Sequence, residues 1–146
     1  MEKAALSSLG NARDVFADTS YFDAVLNPAD ANHKRALEIS AYVRARRLRV
    51  VTTWDALVET VTLLRYRGGF ELASIFLNEV TPDLVIVYPV ETERESAIQI
   101  FLQRGRDMRL SMCDAISYAV VSRRLNWAPC LAFDADFAAL GLTTVR

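Results

Sequence analysis

Short apolar segments alternate with longer segments of helical periodicity along nearly the whole chain of 146 residues. The short segments suit strands, at residues 15–17, 49–52, 84–87, 130–133 and, as a fifth, 142–145. This alternation predicts an α/β domain in which a mostly parallel sheet of four to five strands is joined by crossover helices. Residues 84–87 are apolar without interruption, which is typical of a strand buried on both faces.

The segments between the strands predict helices at residues 21–26, 30–48, 53–67, 70–80, 92–103 and 111–125. The third of these is strongly amphipathic, and its apolar side chains fall at helical spacing. They are Trp54, Leu57, Val58, Val61 and Leu64. We expect Gly68 and Gly69 to end this helix.

Seventeen Lys and Arg side chains oppose eighteen Asp and Glu, which gives a net charge of −1. This balance excludes a protein that coats nucleic acid by bulk charge, so any nucleic-acid contact must be local. A lone His33 and two distant cysteines exclude a structural zinc site of the usual spacing. We interpret His33 as a surface or structural residue.

The chain is expected to be a cytoplasmic protein that does not enter a membrane. Cys113 and Cys130 lie in apolar surroundings and predict buried, reduced thiols. Residues 1–11 lack the apolar core of a secretory signal, and no apolar run is long enough for a membrane helix. We expect residues 1–14 to form a loose extension and residues 15–146 to form one domain.

Two acidic residues, Asp18 and Asp134, each follow directly after a predicted strand. Ligands of parallel sheets bind beyond the carboxyl ends of the strands, so both are candidates for a site. Each also has a structural interpretation as the cap of a following helix. Asp114 likewise completes a capping box with Ser111, but it leads into an apolar helix, where an unpaired carboxylate is costly.

Glu59 has the weakest structural explanation, because it lies in the middle of a helix with Asp55 one turn before it. Such an acidic face is unfavourable without a cation. Four carboxylates, Asp18, Glu59, Asp114 and Asp134, match the oxygen ligands that Mg²⁺ requires. In the hydrolysis of a phosphodiester, such an ion activates water and offsets charge on the phosphate.

Other polar residues could support this site. Thr19 and Ser20 follow Asp18, and Ser111 precedes Asp114, so their hydroxyls can orient the carboxylates, cap helices, or do both. Basic residues just before Ser111 could contact phosphate at the rim. They are Arg104, Arg106 and Arg109. A second basic cluster, Arg44, Arg46, Arg47 and Arg49, is interpreted as a solvated helix face.

The order of these motifs resembles that of PIN-domain proteins over residues 15–145. Residues 15–22 resemble the family's opening strand with its Asp-Thr/Ser-Ser element, and Asp30, His33 and Ala36 resemble the helix after it. Residues 52–53 with Glu59 and Thr60 resemble the second acidic element. Residues 110–115 resemble the Leu-Ser-x-x-Asp-Ala element, and residues 133–137 with Gly141 resemble the closing one.

The resemblance implies a three-layer α/β/α fold, dependence on Mg²⁺ or Mn²⁺, and ribonuclease activity. It assigns the four acids to the metal, with Asp136 as an accessory or alternative to Asp134. Asp107, between the arginines, departs from the family's basic pattern. Members of this length are commonly VapC-like toxins that a small antitoxin inhibits, and they are often dimers. The alternatives are an RNA-processing nuclease outside a toxin system, or a non-catalytic module that binds nucleic acid or protein.

Overall fold

The structure is a computed structural model that describes residues 6–146. Within that range five strands form one sheet in the order β3-β2-β1-β4-β5, and every neighbouring pair is parallel. The strands are β1 (Asp14–Ala17), β2 (Arg49–Thr53), β3 (Val85–Val87), β4 (Cys130–Leu131) and β5 (Thr144–Val145). The predicted parallel sheet is therefore confirmed.

Helices cover both faces of this sheet. They are α1 (Thr19–Leu26), α2 (His33–Ala45), α3 (Trp54–Ile75), α4 (Glu91–Arg104), α5 (Met112–Arg123) and α6 (Ala135–Ala139). Successive strand side chains point to opposite faces. Val15 and Ala17 of β1 therefore pack in a core with α1, α2 and α3, whereas Phe16 packs with α5 and α6. This arrangement confirms the predicted three-layer α/β/α class.

Two predictions about burial are wrong. Residues Val85–Val87 of β3 are only half-buried, because β3 pairs with β2 alone and forms an edge of the sheet. Trp54 and Val58 of α3 are exposed although they share the helical spacing of the buried Leu57. Trp54 instead stacks on Tyr88, with ring centroids 6.0 Å apart.

Helix α3 consists of two helical segments joined at a kink, because the helical backbone is interrupted at Gly69 and resumes up to Ile75. Gly69 itself is not helical, with a φ of 83° and a ψ of 179°. Glycine is the residue that adopts such a backbone without strain. The predicted stop at Gly68 and Gly69, with another helix from residue 70, is therefore confirmed. The second segment continues as a π-helical turn at Phe76–Val80, and a 3-10 turn follows at Thr81–Asp83.

The segment before β1 is packed against the domain. Leu9 is only 1% exposed and belongs to the core on the α1 side, and Leu6 packs against the same cluster. The expected loose extension is thus wrong for residues 6–12, and residues 1–5 lie outside the described part. The domain limits at residues 14 and 15 stay a prediction.

Cys113 and Cys130 are free thiols, and Cys130 is buried as predicted, whereas Cys113 is only partly buried. None of the helices described between residues 6 and 146 combines the length and apolar character needed to cross a membrane.

Candidate active site

A cavity of about 450 Å³ opens at the carboxyl ends of β1 and β4. All four acids that the sequence singles out line it: Asp18, Glu59, Asp114 and Asp134. They come from the end of β1, the second turn of α3, the first turn of α5 and the segment after β4. The position agrees with the general placement of ligand sites in parallel sheets.

Asp18 lies at the back of the cavity, only 4% exposed, as the N-terminal cap of α1. Its Oδ2 accepts hydrogen bonds from the backbone N–H of Ser20 at 3.2 Å and from the Ser20 hydroxyl at 2.7 Å. Burial raises the pKa of Asp18 to about 6, despite these hydrogen bonds, and the charge of Asp114 adds to the rise. Asp18 therefore caps α1 and lines the cavity at the same time.

Ser20 also connects the two strand ends that carry acids. Its Oγ accepts a hydrogen bond from the backbone N–H of Phe133, which lies between β4 and Asp134, at 3.0 Å. One hydroxyl thus fixes Asp18 and the approach to Asp134. Thr19 has a different partner, because its hydroxyl donates to the carbonyl of Ala56 at 3.2 Å and so ties α1 to α3.

Asp114 forms the predicted capping box with Ser111. Its Oδ2 accepts from the Ser111 N–H at 3.1 Å, and the Ser111 hydroxyl accepts from the Asp114 N–H at 3.0 Å. Burial raises the pKa of Asp114; the hydrogen bonds from Ser111 lower it, and the charges of Asp134 and Glu59 raise it. The carboxylate is therefore held in place among other carboxylates.

Asp134 and Asp136 lie together at the start of α6. Asp134 caps this helix by accepting from the Asp136 N–H at 2.9 Å. Carboxylate oxygens of Asp114, Asp134 and Asp136 lie within 4.8 Å of one another. Asp134 lines the cavity and Asp136 does not, but both are close enough to Asp114 to share an ion with it.

Glu59 is exposed and faces the same cavity from α3. It lies beside the thiol of Cys113 on α5, whose pKa is raised first by burial and then by its hydrogen bond to Glu59 and the charge of that carboxylate. Thr60, the next residue, is buried, and its hydroxyl lies 3.2 Å from the Thr19 hydroxyl of α1. The helix that carries Glu59 is thereby fixed against the rest of the site.

The donor set fits a hard divalent cation. Burial is the main reason why the pKa values of Asp18 and Asp114 are raised, and the repulsion between neighbouring carboxylates adds to the rise. A divalent cation removes this repulsion and accepts the oxygen ligands that these residues offer. His33 takes no part in this group, because its Nδ1 lies 2.7 Å from the Ala24 carbonyl and the ring serves the fold.

The three arginines proposed to contact RNA are not equally placed. Arg109 lines the cavity, and its charge lowers the pKa of Asp136, although burial and Asp134 leave that pKa raised. Arg104 and Arg106 are exposed but do not line the cavity.

Sequence reasoning missed two charged residues of the cavity wall, Asp23 and Arg67. Arg67 Nη1 donates to Asp23 Oδ2 at 2.6 Å. Glu59, Leu63 and Arg67 follow one another at steps of four residues, which places all three on one face of α3. Asp23 lies among apolar residues of α1, and a buried acid of that kind indicates a partner. Asp30 and Asn32 also line the cavity.

Known proteins resemble this chain over most of its length. The 23S rRNA-specific endonuclease VapC20 of Mycobacterium tuberculosis, from two strains, is 33% identical over 132 residues, which cover 90% of this chain and 98% of VapC20. The crystal structure of VapC20, described as a sarcin–ricin loop cleaving toxin, matches with a TM-score of 0.73 and 30% identity over 88% of this chain and 96% of that one.

A more distant structure shares the fold. VapBC2 from Rickettsia felis, bound to a DNA fragment from its promoter, matches with a TM-score of 0.65 and 10% identity, covering 91% of this chain and 97% of that one. No protein-family model matches the chain. The identity to VapC20 over nearly both full lengths shows that the chain belongs to the VapC family of PIN-domain endoribonuclease toxins.

Proposed function

We propose that this chain cleaves 23S rRNA at its sarcin–ricin loop with Mg²⁺ held by Asp18, Glu59, Asp114 and Asp134. The observation that carries the proposal is the convergence of these four carboxylates, from four separate elements, on one cavity. The substrate is inferred from VapC20, whose name and structure describe this specificity. Mn²⁺, a similar hard cation, is expected to replace Mg²⁺.

The bound metal ion supplies an activated water and offsets the negative charge that develops on the phosphate. The residues of the chain hold the oxygens that bind the ion. Ser20 fixes the Asp18 carboxylate by two hydrogen bonds, and the Ser111 backbone N–H fixes that of Asp114. We assign Asp136 an accessory role beside Asp134, and Arg109 a contact to the RNA phosphate at the rim.

We further propose that a small antitoxin protein inhibits the chain in the cytoplasm and that the chain forms a homodimer. Large apolar side chains flank the break in α3, where Tyr66 is 85% and Phe70 is 64% exposed. Exposed apolar patches of this kind mark surfaces for protein partners. Light scattering on the purified chain tests the dimer, and a Phe70→Asp variant should then be monomeric. A wild-type monomer would contradict this assignment.

The activity is tested with a synthetic sarcin–ricin loop RNA and the purified chain in Mg²⁺ and in EDTA. We expect cleavage in Mg²⁺ alone, and its loss in Asp18→Asn, Asp114→Asn and Glu59→Gln. Glu71→Gln is the matched control, because Glu71 is an exposed glutamate of α3 that does not line the cavity.

Two results would contradict the proposal. If Asp18→Asn and Asp114→Asn cut the RNA as fast as wild type, the assignment of the site is wrong. If the wild type cuts total RNA but leaves this loop intact, the substrate is wrong and the site assignment is retained.

A further inference from the structure

An ion pair on the wall of the cavity joins α1 to α3. Arg67 Nη1 lies 2.6 Å from Asp23 Oδ2, and both residues line the cavity that the four acids share. The Asp23 side chain is 2% exposed, whereas that of Arg67 is 54% exposed. The pair therefore has a buried, fixed end and an open, charged end.

The buried end is poorly explained by stability alone. Asp23 Oδ1 is buried, and the described part of the chain offers it no hydrogen-bond partner. A buried carboxylate that is only half satisfied is unfavourable for folding, and an apolar pair would often serve the fold better. The role of Asp23 is therefore better explained by its effect on the position of Arg67.

The open end points to a negatively charged ligand. A guanidinium carries five N–H donors in a fixed plane, and one hydrogen bond to Asp23 leaves four for other acceptors. Arginine in this geometry recognises phosphate by paired hydrogen bonds. Held by Asp23, the guanidinium loses less conformational freedom when a phosphate binds, which favours binding.

The charge of the cavity makes this cation necessary. Six carboxylates line it, from Asp18, Asp23, Asp30, Glu59, Asp114 and Asp134, against two arginines, Arg67 and Arg109. A divalent ion offsets only part of this negative charge, so the RNA backbone approaches a surface that repels it. Arg67 and Arg109 are the cavity-lining cations of the described chain that can attract phosphates flanking the cleaved bond.

The position of Arg67 separates it from the reacting phosphate. Glu59, Leu63 and Arg67 follow one another at four-residue spacing on the cavity face of α3. Eight residues of helix separate the backbones of Glu59 and Arg67 by about 12 Å along the axis. Arg67 is thus suited to a phosphate beside the cleaved one, whereas Glu59 is placed among the metal-binding acids.

We propose that Arg67 binds a phosphate of the RNA substrate next to the cleaved bond, and that Asp23 is a positioning residue that holds the Arg67 guanidinium towards the cavity. The proposal rests on the proposed ribonuclease function of the same cavity.

The test measures kcat and KM for loop RNA cleavage in Arg67→Gln, Arg67→Lys and Asp23→Asn. Loss of a charge-assisted hydrogen bond should raise KM about ten-fold in Arg67→Gln, with a much smaller change in kcat. The slope of log affinity against log salt should fall by about 0.7 to 0.9. Arg67→Lys should have a KM between those of wild type and Arg67→Gln, because lysine keeps the positive charge but lacks the planar guanidinium. Asp23→Asn should raise KM less than Arg67→Gln.

Arg65→Gln is the matched control, since it removes the same charge from the same helix outside the cavity. Its KM should equal that of wild type, and an equal rise in both variants would show a general charge effect and overturn the proposal. A lower melting temperature of Arg67→Gln with an unchanged KM would make the pair merely structural. Weaker Mn²⁺ binding by Asp23→Asn, with an unchanged KM, would make Asp23 a metal ligand and overturn its positioning role.

Equilibrium RNA binding in EDTA separates this proposal from the proposed function. If the wild type fails to cleave the loop, the ribonuclease assignment fails. The phosphate-binding role of Arg67 can still be tested by binding alone. It requires Arg67→Gln to bind RNA more weakly than both wild type and Arg65→Gln.

Discussion

Replacing Asp18 by asparagine is expected to stabilise the metal-free protein while it removes the response to divalent cations. Asp18 is almost fully buried, and its pKa is raised from 3.8 to about 6, chiefly by burial. The folded state therefore binds a proton at this carboxyl more tightly than the unfolded chain does. Its stabilising contribution is fully present below pH 3.8 and is lost as the pH rises through about 6.

The magnitude follows from this shift. About two pKa units correspond to ~3 kcal/mol between the protonated and charged forms. Asparagine resembles the protonated form, but its buried NH₂ group lacks a partner, which costs ~1 kcal/mol. The net gain at neutral pH is then ~2 kcal/mol, or a rise of roughly 4–8 °C in Tm for a domain of this size.

Thermal unfolding in EDTA and in Mg²⁺ measures this effect. In EDTA at pH 7 the variant should melt above wild type, and the difference should shrink towards pH 4. In Mg²⁺ the wild type should gain Tm, whereas the variant should gain little. Asp14→Asn is a control of opposite sign, since hydrogen bonding to Arg49 lowers the pKa of Asp14 and its loss should destabilise the protein. If Asp18→Asn melts below wild type in EDTA, the buried charge of Asp18 does not destabilise the metal-free protein and this prediction is wrong.

Four further substitutions test particular contacts. Gly69→Ala should cost ~1–3 kcal/mol in urea unfolding, because the backbone at this break strains any other residue. Leu9→Ala should lower the free energy of unfolding by ~2–5 kcal/mol in the same measurement. A negligible loss would mean that the segment before β1 is a loose extension after all. Ser20→Ala removes the hydroxyl that fixes Asp18, so calorimetry should show Mn²⁺ affinity lower by about 10- to 100-fold. Glu59→Gln, at an exposed position, should reduce cleavage by at least about 10-fold while the unfolding free energy changes by less than ~0.5 kcal/mol.

Local patterns in the sequence were enough to predict the five strands, the helices before residue 126 and the four acids. Asp18, Asp114 and Asp134 follow strands or open helices, and their capping roles are visible in short motifs. Glu59 stood out because no local structural role explained it. Since the carboxyl ends of parallel strands meet at one edge, the sequence also predicted where these residues would converge.

What sequence reasoning missed depends on contacts between distant segments. The edge position of β3 follows from the order of the strands in the sheet, which the apolar run at residues 84–87 does not indicate. Trp54 has the periodicity of a core residue, but its partner Tyr88 lies beyond another strand. The pairing of Asp23 with Arg67 links residues 44 positions apart, so neither side chain reveals it alone. Leu9 is likewise buried by elements that come later in the chain.

The most direct test of the metal site is a crystal structure of the chain soaked in Mn²⁺, with an anomalous difference map. We expect a peak in the cavity with oxygens of Asp114 and Asp134 within about 2.2 Å, close to the octahedral distance for such ions. Asp18 and Glu59 should bind the ion directly or through its waters. A map without a peak among these carboxylates, from crystals whose dissolved protein cleaves RNA in Mn²⁺, would contradict the assignment.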